Sequence, residues 1–274
     1  MSRPTPKEVT STKEETSASF RGRRKRDNGS VVVKYERKGI YILPNLLTTA
    51  SLFAGFYAIV QAMNGNFANA PLAIFIAMVL DGLDGRVARL THTESDFGAQ
   101  YDSIVDMVSF GLAPALIMYE WALSGLGKLG WLAAFIYTAG AALRLARFNT
   151  QIGIVDKHYF IGLPSPSAAA SVIGFIWVLH SYGVPGKNIS MLALMVTIGA
   201  GVLMVSNIRY RSFKDFNLKG RVPFMAILAI PLAFVLIFLD PPQVLFGAFL
   251  TYALSGPVMA AFRFMRNKDE PDTK

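Results

Sequence analysis

The strongest constraint on this chain is a succession of apolar stretches, each close to the length that crosses a bilayer. A helix needs about 20 predominantly apolar residues to span the hydrocarbon layer. Such stretches fall at 43–62, 68–90, 99–123, 129–149, 164–183, 188–206, 223–239 and 242–263. Only 16% of the 274 residues are charged and 53% are hydrophobic, whereas soluble chains carry about 25% charged residues. The reading is an all-α integral membrane protein with about eight transmembrane helices.

Charge placement supports that number by a separate route. Every lysine and arginine except Lys128 and Lys187 falls in the N-terminal segment, near the second, fourth or sixth connection, or at the C-terminus. The positive-inside rule makes that side cytoplasmic, and an even number of spans returns both termini to it. The net charge of +9 then points to an anionic lipid surface rather than nucleic acid. Residues 1–29 carry a basic cluster (Arg21, Arg23, Arg24, Lys25, Arg26) and no apolar core, so they read as a disordered cytoplasmic tail rather than a secretory signal. Residues 30–42 mix apolar and charged residues and read as a juxtamembrane amphipathic segment. A core at 43–206, a basic cytoplasmic loop at 207–222, two additional transmembrane helices at 223–263 and a cytoplasmic tail at 264–274 complete the organisation. The chain lacks cysteine, which excludes thiolate nucleophiles, zinc ribbons and iron–sulfur clusters. Its three histidines, His92, His158 and His180, are too scattered for a histidine-rich metal site.

The second and third apolar stretches contain what lipid should exclude. Six acids (Asp81, Asp84, Glu94, Asp96, Asp102, Asp106) and two bases (Arg86, Arg89) lie between positions 81 and 106, a formal charge of −4. One unpaired Asp at the centre of a membrane helix costs about 2.5–3.5 kcal/mol, so four such aspartates need compensation. Asp81 and Asp84 stand at i, i+3, and Asp102 and Asp106 at i, i+4, so each pair lies on one helix face. Facing one another, the pairs bring hard oxygen ligands together, and such ligands suit Mg²⁺ or Mn²⁺. Two divalent ions per site would cancel the local charge. Gly82, Gly85, Ala88 and Gly98 remove bulk beside the acids. Either a phosphorylated ligand approaches the backbone there, or helices pack closely through small residues.

The run Asp81-x-x-Asp84-Gly85-x-x-Ala88-Arg89, followed after eight residues by Gly98-x-x-x-Asp102-x-x-x-Asp106, resembles the full signature of the CDP-alcohol phosphotransferases. Further segments resemble the membrane-type phosphatidylserine synthase branch: DSIVDMVSFGLAPA from Asp102, LRLARFN at 143–149, FIGLPSP at 160–166 and LMVSNIRYRSFK at 203–214. The motif Pro44-Asn45-Leu46-Leu47-Thr48 resembles a nucleotide-side motif of the wider family. The resemblance implies a six-helix family core at 43–206, with CDP-diacylglycerol as donor and L-serine as acceptor. It implies Asp81, Asp84, Asp102 and Asp106 as metal ligands and Asp106 also as the base. Asn45, Thr48, Gly82, Gly85, Ala88, Arg89 and Gly98 are expected to meet nucleotide or lipid phosphate. Arg144, Arg147 and Asn149 are candidates for the acceptor or a phosphate, with flanking of the membrane as the competing role for the arginines. A homodimer in the cytoplasmic membrane, the inner membrane in a bacterium, is also expected. Without cysteine, and with only His92 near the signature, single displacement is favoured over a covalent enzyme intermediate. Two other readings stay open: a sister enzyme using glycerol 3-phosphate or an inositol phosphate, and a cation transporter using the acids as an ion site.

Overall fold

The structure, a computed structural model, describes residues 42–151, 159–211 and 224–268. The expectations for the 1–29 tail, for the amphipathic segment up to residue 41, for most of the 207–222 loop and for residues 269–274 lie outside the described residues. In chain order the α-helices are α1 (Ile42–Met63), α2 (Asn69–Thr91), α3 (Asp96–Asp106), α4 (Ala113–Met118), α5 (Lys128–Gln151), α6 (Ser165–Ser181), α7 (Ser190–Val205), α8 (Phe224–Leu239) and α9 (Pro241–Lys268). Two π-helical segments, Met107–Leu112 and Tyr119–Leu123, flank α4. They make Asp96–Leu126 one continuous helical rod.

Among the described residues, five helical rods are long and apolar enough to cross a membrane: Ile42–Met63, Asp96–Leu126, Lys128–Thr150, Gly186–Val205 and Pro241–Phe262. The remaining apolar stretches also form helices. However, α2 carries Asp81, Asp84, Arg86 and Arg89, while α6 and α8 run for 17 and 16 residues. The fold is therefore all-helical in its bulk. One addition is not legible in the sequence. Tyr159–Ile161 (β1) and Arg209–Arg211 (β2) pair antiparallel, with Phe160 opposite Tyr210. This ladder joins the connection before α6 to the one after α7, satisfying backbone groups in two loops at once. Gly162 makes the turn out of β1 at φ +80°, and its amide donates to the Ile208 carbonyl at 2.8 Å.

Small residues set the helix spacing, as expected where van der Waals packing drives association in lipid. α1 meets α2 through Ala54, Ala58 and Ala62 against Ala70, Ala73 and Ala77, all buried, and the Ser51 hydroxyl donates to the Ala77 carbonyl at 3.0 Å. α5 meets α7 where a Cβ on Gly140 would stand 2.6 Å from the Gly201 carbonyl oxygen. α6 is the central helix, with Ala168, Ala169, Ala170, Val172, Ile173 and Ile176 all buried. The turn between α2 and α3 is capped at both ends. The Thr93 amide donates to the Ala88 carbonyl at 2.9 Å. Ser95 is the N-cap of α3, its Oγ accepting from the Gly98 amide at 3.0 Å, which satisfies one of the orphan donors of a helix start. These caps hold the two acidic helices in register.

Candidate metal centre

The capped turn sends α3 back alongside α2, and the aspartates of both helices converge. One carboxylate oxygen each from Asp81, Asp102 and Asp106 lies within 4.8 Å of the other two. Asp102 Oδ1 and Asp106 Oδ1 are buried and have no hydrogen-bond donor. A buried polar atom left unpaired carries its full desolvation cost, larger still for a charged group. Three converging carboxylates, two of them with orphaned oxygens, fit a divalent cation such as Mg²⁺ or Mn²⁺, whose preferred ligands are hard oxygens.

Spacing predicts Asp84 as a fourth ligand on the same stripe, and the structure places it beside the trio rather than in it. A step of i+3 leaves two side chains about 60° apart around the helix. α2 therefore turns Asp81 towards α3 and Asp84 towards α1. Asp84 is only 5% exposed, and the Thr48 hydroxyl donates to its Oδ2 at 2.5 Å. Its charge still acts on all three other aspartates. Thr48 is thus a carboxylate-orienting residue, a role the sequence does not reveal.

The small residues divide in the same way. A Cβ on Gly82 would meet nothing within 4 Å, and one on Gly85 only the Arg89 guanidinium at 4.0 Å. Close helix packing therefore does not account for these two glycines, and their backbone is open to a ligand. At Gly98 a Cβ would stand 3.2 Å from Ser95 Oγ and 3.6 Å from Asn45 Oδ1, which puts Asn45 at the start of α3. Ala88 serves the cap described above, and Arg89 is exposed in the last turn of α2.

The three acceptor candidates part company. Arg144 donates from Nη1 to the Ser165 hydroxyl, lies 5.9 Å from the Phe148 ring centroid, and is close enough to Asp106 for their charges to interact. Asn149 Nδ2 donates to Ser103 Oγ at 3.1 Å, one residue beyond Asp102. Arg147 turns elsewhere, donating to the Val205 carbonyl at 3.1 Å and to Asn207 Oδ1 at 3.3 Å, where it caps the end of α7. Neither Ser165 nor Ser103 stands out as a site residue in the sequence. Ser165 lies inside the FIGLPSP segment, but its hydrogen bond to Arg144 crosses 21 positions and has no local signal.

The fold and the acidic centre define a class, an all-helical protein with helices long and apolar enough to cross a membrane and a carboxylate-lined site suited to a divalent cation. The chain belongs to the CDP-alcohol phosphatidyltransferase family, whose family model matches residues 41–206. Among curated proteins it is 36% identical over 231 residues to the CDP-diacylglycerol–serine O-phosphatidyltransferase of Helicobacter pylori strain J99, covering 84% of this chain and 97% of that one. Proteins of the same name from Methanocaldococcus jannaschii and Bacillus subtilis strain 168 are 38% identical over 176 residues and 36% over 172. Those matches cover 64% of this chain and 77% of the archaeal protein, and 63% and 91% for the Bacillus protein.

Proposed function

We infer that this chain transfers the phosphatidyl group of CDP-diacylglycerol to the hydroxyl of L-serine, giving phosphatidylserine and CMP. The observation that carries the reading is the convergence of Asp81, Asp102 and Asp106 with two buried, unbonded carboxylate oxygens, in a chain whose curated relatives carry that activity in their names. Asp81, Asp102 and Asp106, with the charge of Asp84 beside them, would hold the divalent metal, as two Mg²⁺ or Mn²⁺ ions. A divalent metal in such a site stabilises charge on a transferring phosphoryl group and on its leaving group.

The residues of the chain supply positioning and proton transfer. The open backbone at Gly82 and Gly85 admits the diphosphate beside the acids, with Asn45 and Gly98 on the nucleotide side and Arg89 at the rim. Asp106 accepts the proton of the acceptor hydroxyl. The hydroxyl oxygen forms a bond to the lipid-side phosphorus as the bond to CMP breaks, and CMP leaves with the electron pair. Arg144, fixed by Ser165, takes the carboxylate of the acceptor and so turns its hydroxyl towards Asp106. Holding the reacting groups in this geometry accounts for a large share of the catalysis in such reactions. The absence of cysteine and the exposed, capping position of His92 favour a single displacement. Eight spans, cytoplasmic termini, a site at the cytoplasmic face of the membrane and a homodimer complete the proposal.

The test is CMP release from CDP-diacylglycerol with an acceptor panel, in Mg²⁺ and in Mn²⁺. Serine-dependent release is expected, falling by about 10²-fold or more in Asp106→Asn, as when a general base is removed. Reaction with glycerol 3-phosphate and not with serine would make the chain a sister enzyme. Cation flux into liposomes without CMP release would favour transport instead.

A further inference from the structure

α3 carries two of the three converging acids, Asp102 and Asp106, yet burial anchors it poorly. Of its residues only Val105 is buried, so its position depends on polar ties. Among the described residues three such ties act. The capped turn joins α3 to α2. The Tyr101 and Thr49 hydroxyls, 3.0 Å apart, join it to α1. The third tie runs to α5. Asn149 Nδ2 donates to Ser103 Oγ at 3.1 Å, and that hydroxyl donates in turn to the Ala99 carbonyl at 3.1 Å. Asn149 Oδ1 lies 3.3 Å from the same Ser103 oxygen, so the amide meets Ser103 edge-on and is engaged with α3.

The same two rods meet again further along. The Tyr137 hydroxyl of α5 donates to the Phe110 carbonyl at 3.0 Å, and a Cβ on Gly111 would stand 3.1 Å from Cβ of Ala141. The α3 rod and α5 are thus joined at two levels. Asp106 lies between those levels on the rod, at i+3 from Ser103 and so on the same helix face. Arg144 lies between them on α5, at i+7 from Tyr137, two turns on and again on one face. The tie at Ser103 therefore governs how the face carrying Asp106 meets the face carrying Arg144. Without it, the contact at Gly111 and Tyr137 becomes a pivot about which the Asp96 end of α3 can swing. A misplacement of about 1 Å between reacting groups can cost about 10²-fold in rate.

We propose that Ser103 and Asn149 are positioning residues for the transfer step, their hydrogen bond setting the reach from Asp106, the base, to Arg144, which takes the carboxylate of the acceptor. The proposal rests on the serine reading above. It moves Asn149 from contact with the acceptor to alignment of the two groups that make that contact. The cap to α2 and the Tyr101 tie to α1 do not involve this bond, so the metal side should not feel its loss.

The experiment uses the purified full-length protein in mixed micelles, with CMP release titrated separately against serine, CDP-diacylglycerol and Mg²⁺. Ser103→Ala removes the hydroxyl and Asn149→Ala the amide. Each is expected to raise the KM for serine and to lower kcat/KM for serine about tenfold, the upper range for one lost hydrogen bond. The KM for CDP-diacylglycerol and the Mg²⁺ concentration giving half-maximal release should not change. The double variant should be no worse than either single variant, because both remove the same bond. Ser103→Thr keeps the hydroxyl and should stay near the parent. If Asn149→Ala does not accumulate, Ser103→Ala and Ser103→Thr decide the matter. A fall in kcat with both KM values unaltered is what loss of folded protein alone predicts, and it would overturn the proposal. So would additive losses in the double variant, or a raised Mg²⁺ requirement with a normal serine KM. Absence of serine-dependent CMP release from the unsubstituted protein would overturn the acceptor reading, and this proposal with it. The two failures are thus distinguishable.

Discussion

At the scale of single residues, the acids announce themselves and their partners do not. Asp81, Asp84, Asp102 and Asp106 stand out because lipid excludes charge, and helical spacing alone is enough to pair them. What spacing cannot show is which neighbour each acid faces. Asp81 and Asp84 share a stripe in sequence, yet the rotation between i and i+3 sends one to α3 and the other to Thr48 on α1. The Thr48 bond crosses 36 positions, so only tertiary structure reveals it. It carries a prediction. Groups that orient a metal-binding carboxylate typically contribute 10–100-fold, roughly, to metal affinity or activity. Thr48→Val keeps the shape and removes the donor to a carboxylate that is 5% exposed. The Mg²⁺ or Mn²⁺ concentration giving half-maximal CMP release should rise by about that factor, while Thr48→Ser should stay near the parent. An unaltered metal requirement in Thr48→Val would mean that Asp84 needs no orientation.

At the scale of elements, the helices are legible because each apolar stretch is long and bounded by charge or turn residues. The π-helical segments are not. A π turn inserts a residue without altering the apolar character of the run, so hydropathy reads straight through Met107–Leu112. That segment begins immediately after Asp106 and buries Ser109, Phe110 and Gly111, which makes its seating against α1 part of how Asp106 is aimed. Glycines on the two sides of the site should then behave oppositely. A Cβ on Gly55 would stand 2.5 Å from Ser109 Oγ and 3.0 Å from Ser109 Cα, and backbone cannot swing aside as a side-chain tip can. Gly55→Ala should lower stability by about 1–3 kcal/mol, the cost of overpacking, and lower activity with it. Gly82 has open space instead, and replacing a helical Gly by Ala gains about 1 kcal/mol of propensity. Gly82→Ala should therefore keep or raise the thermal midpoint while raising the KM for CDP-diacylglycerol. A normal KM in Gly82→Ala would show that the open face does not receive the donor.

At the scale of the whole molecule, the sequence is most informative about sidedness and least informative about which helices cooperate. Nothing local in 242–263 announces that α9 lies along α6 and against Tyr210, because Gly174, Tyr210 and Gly256 acquire their roles only when the helices meet. The proposed sidedness, by contrast, rests on Lys128 and Lys187 being alone against all the other basic residues, a bias that acts during insertion and needs no tertiary contact. The lack of native cysteine makes this directly measurable. Single cysteines at Asn64, Ser124 and Ser181 probe the C-terminal ends of α1, of the α3–α4 rod and of α6, and all three positions are exposed. A cysteine at Glu94 probes the turn before α3, also exposed. In sealed right-side-out vesicles a membrane-impermeant maleimide should label the first three and spare Glu94→Cys, and inverted vesicles should reverse the pattern. Labelling of Asn64→Cys and Ser181→Cys from opposite sides would remove one span between them and break the even count. Labelling of Glu94→Cys from outside would place the acidic centre on the far face, where cytosolic serine and nucleotide-activated lipid could not meet it.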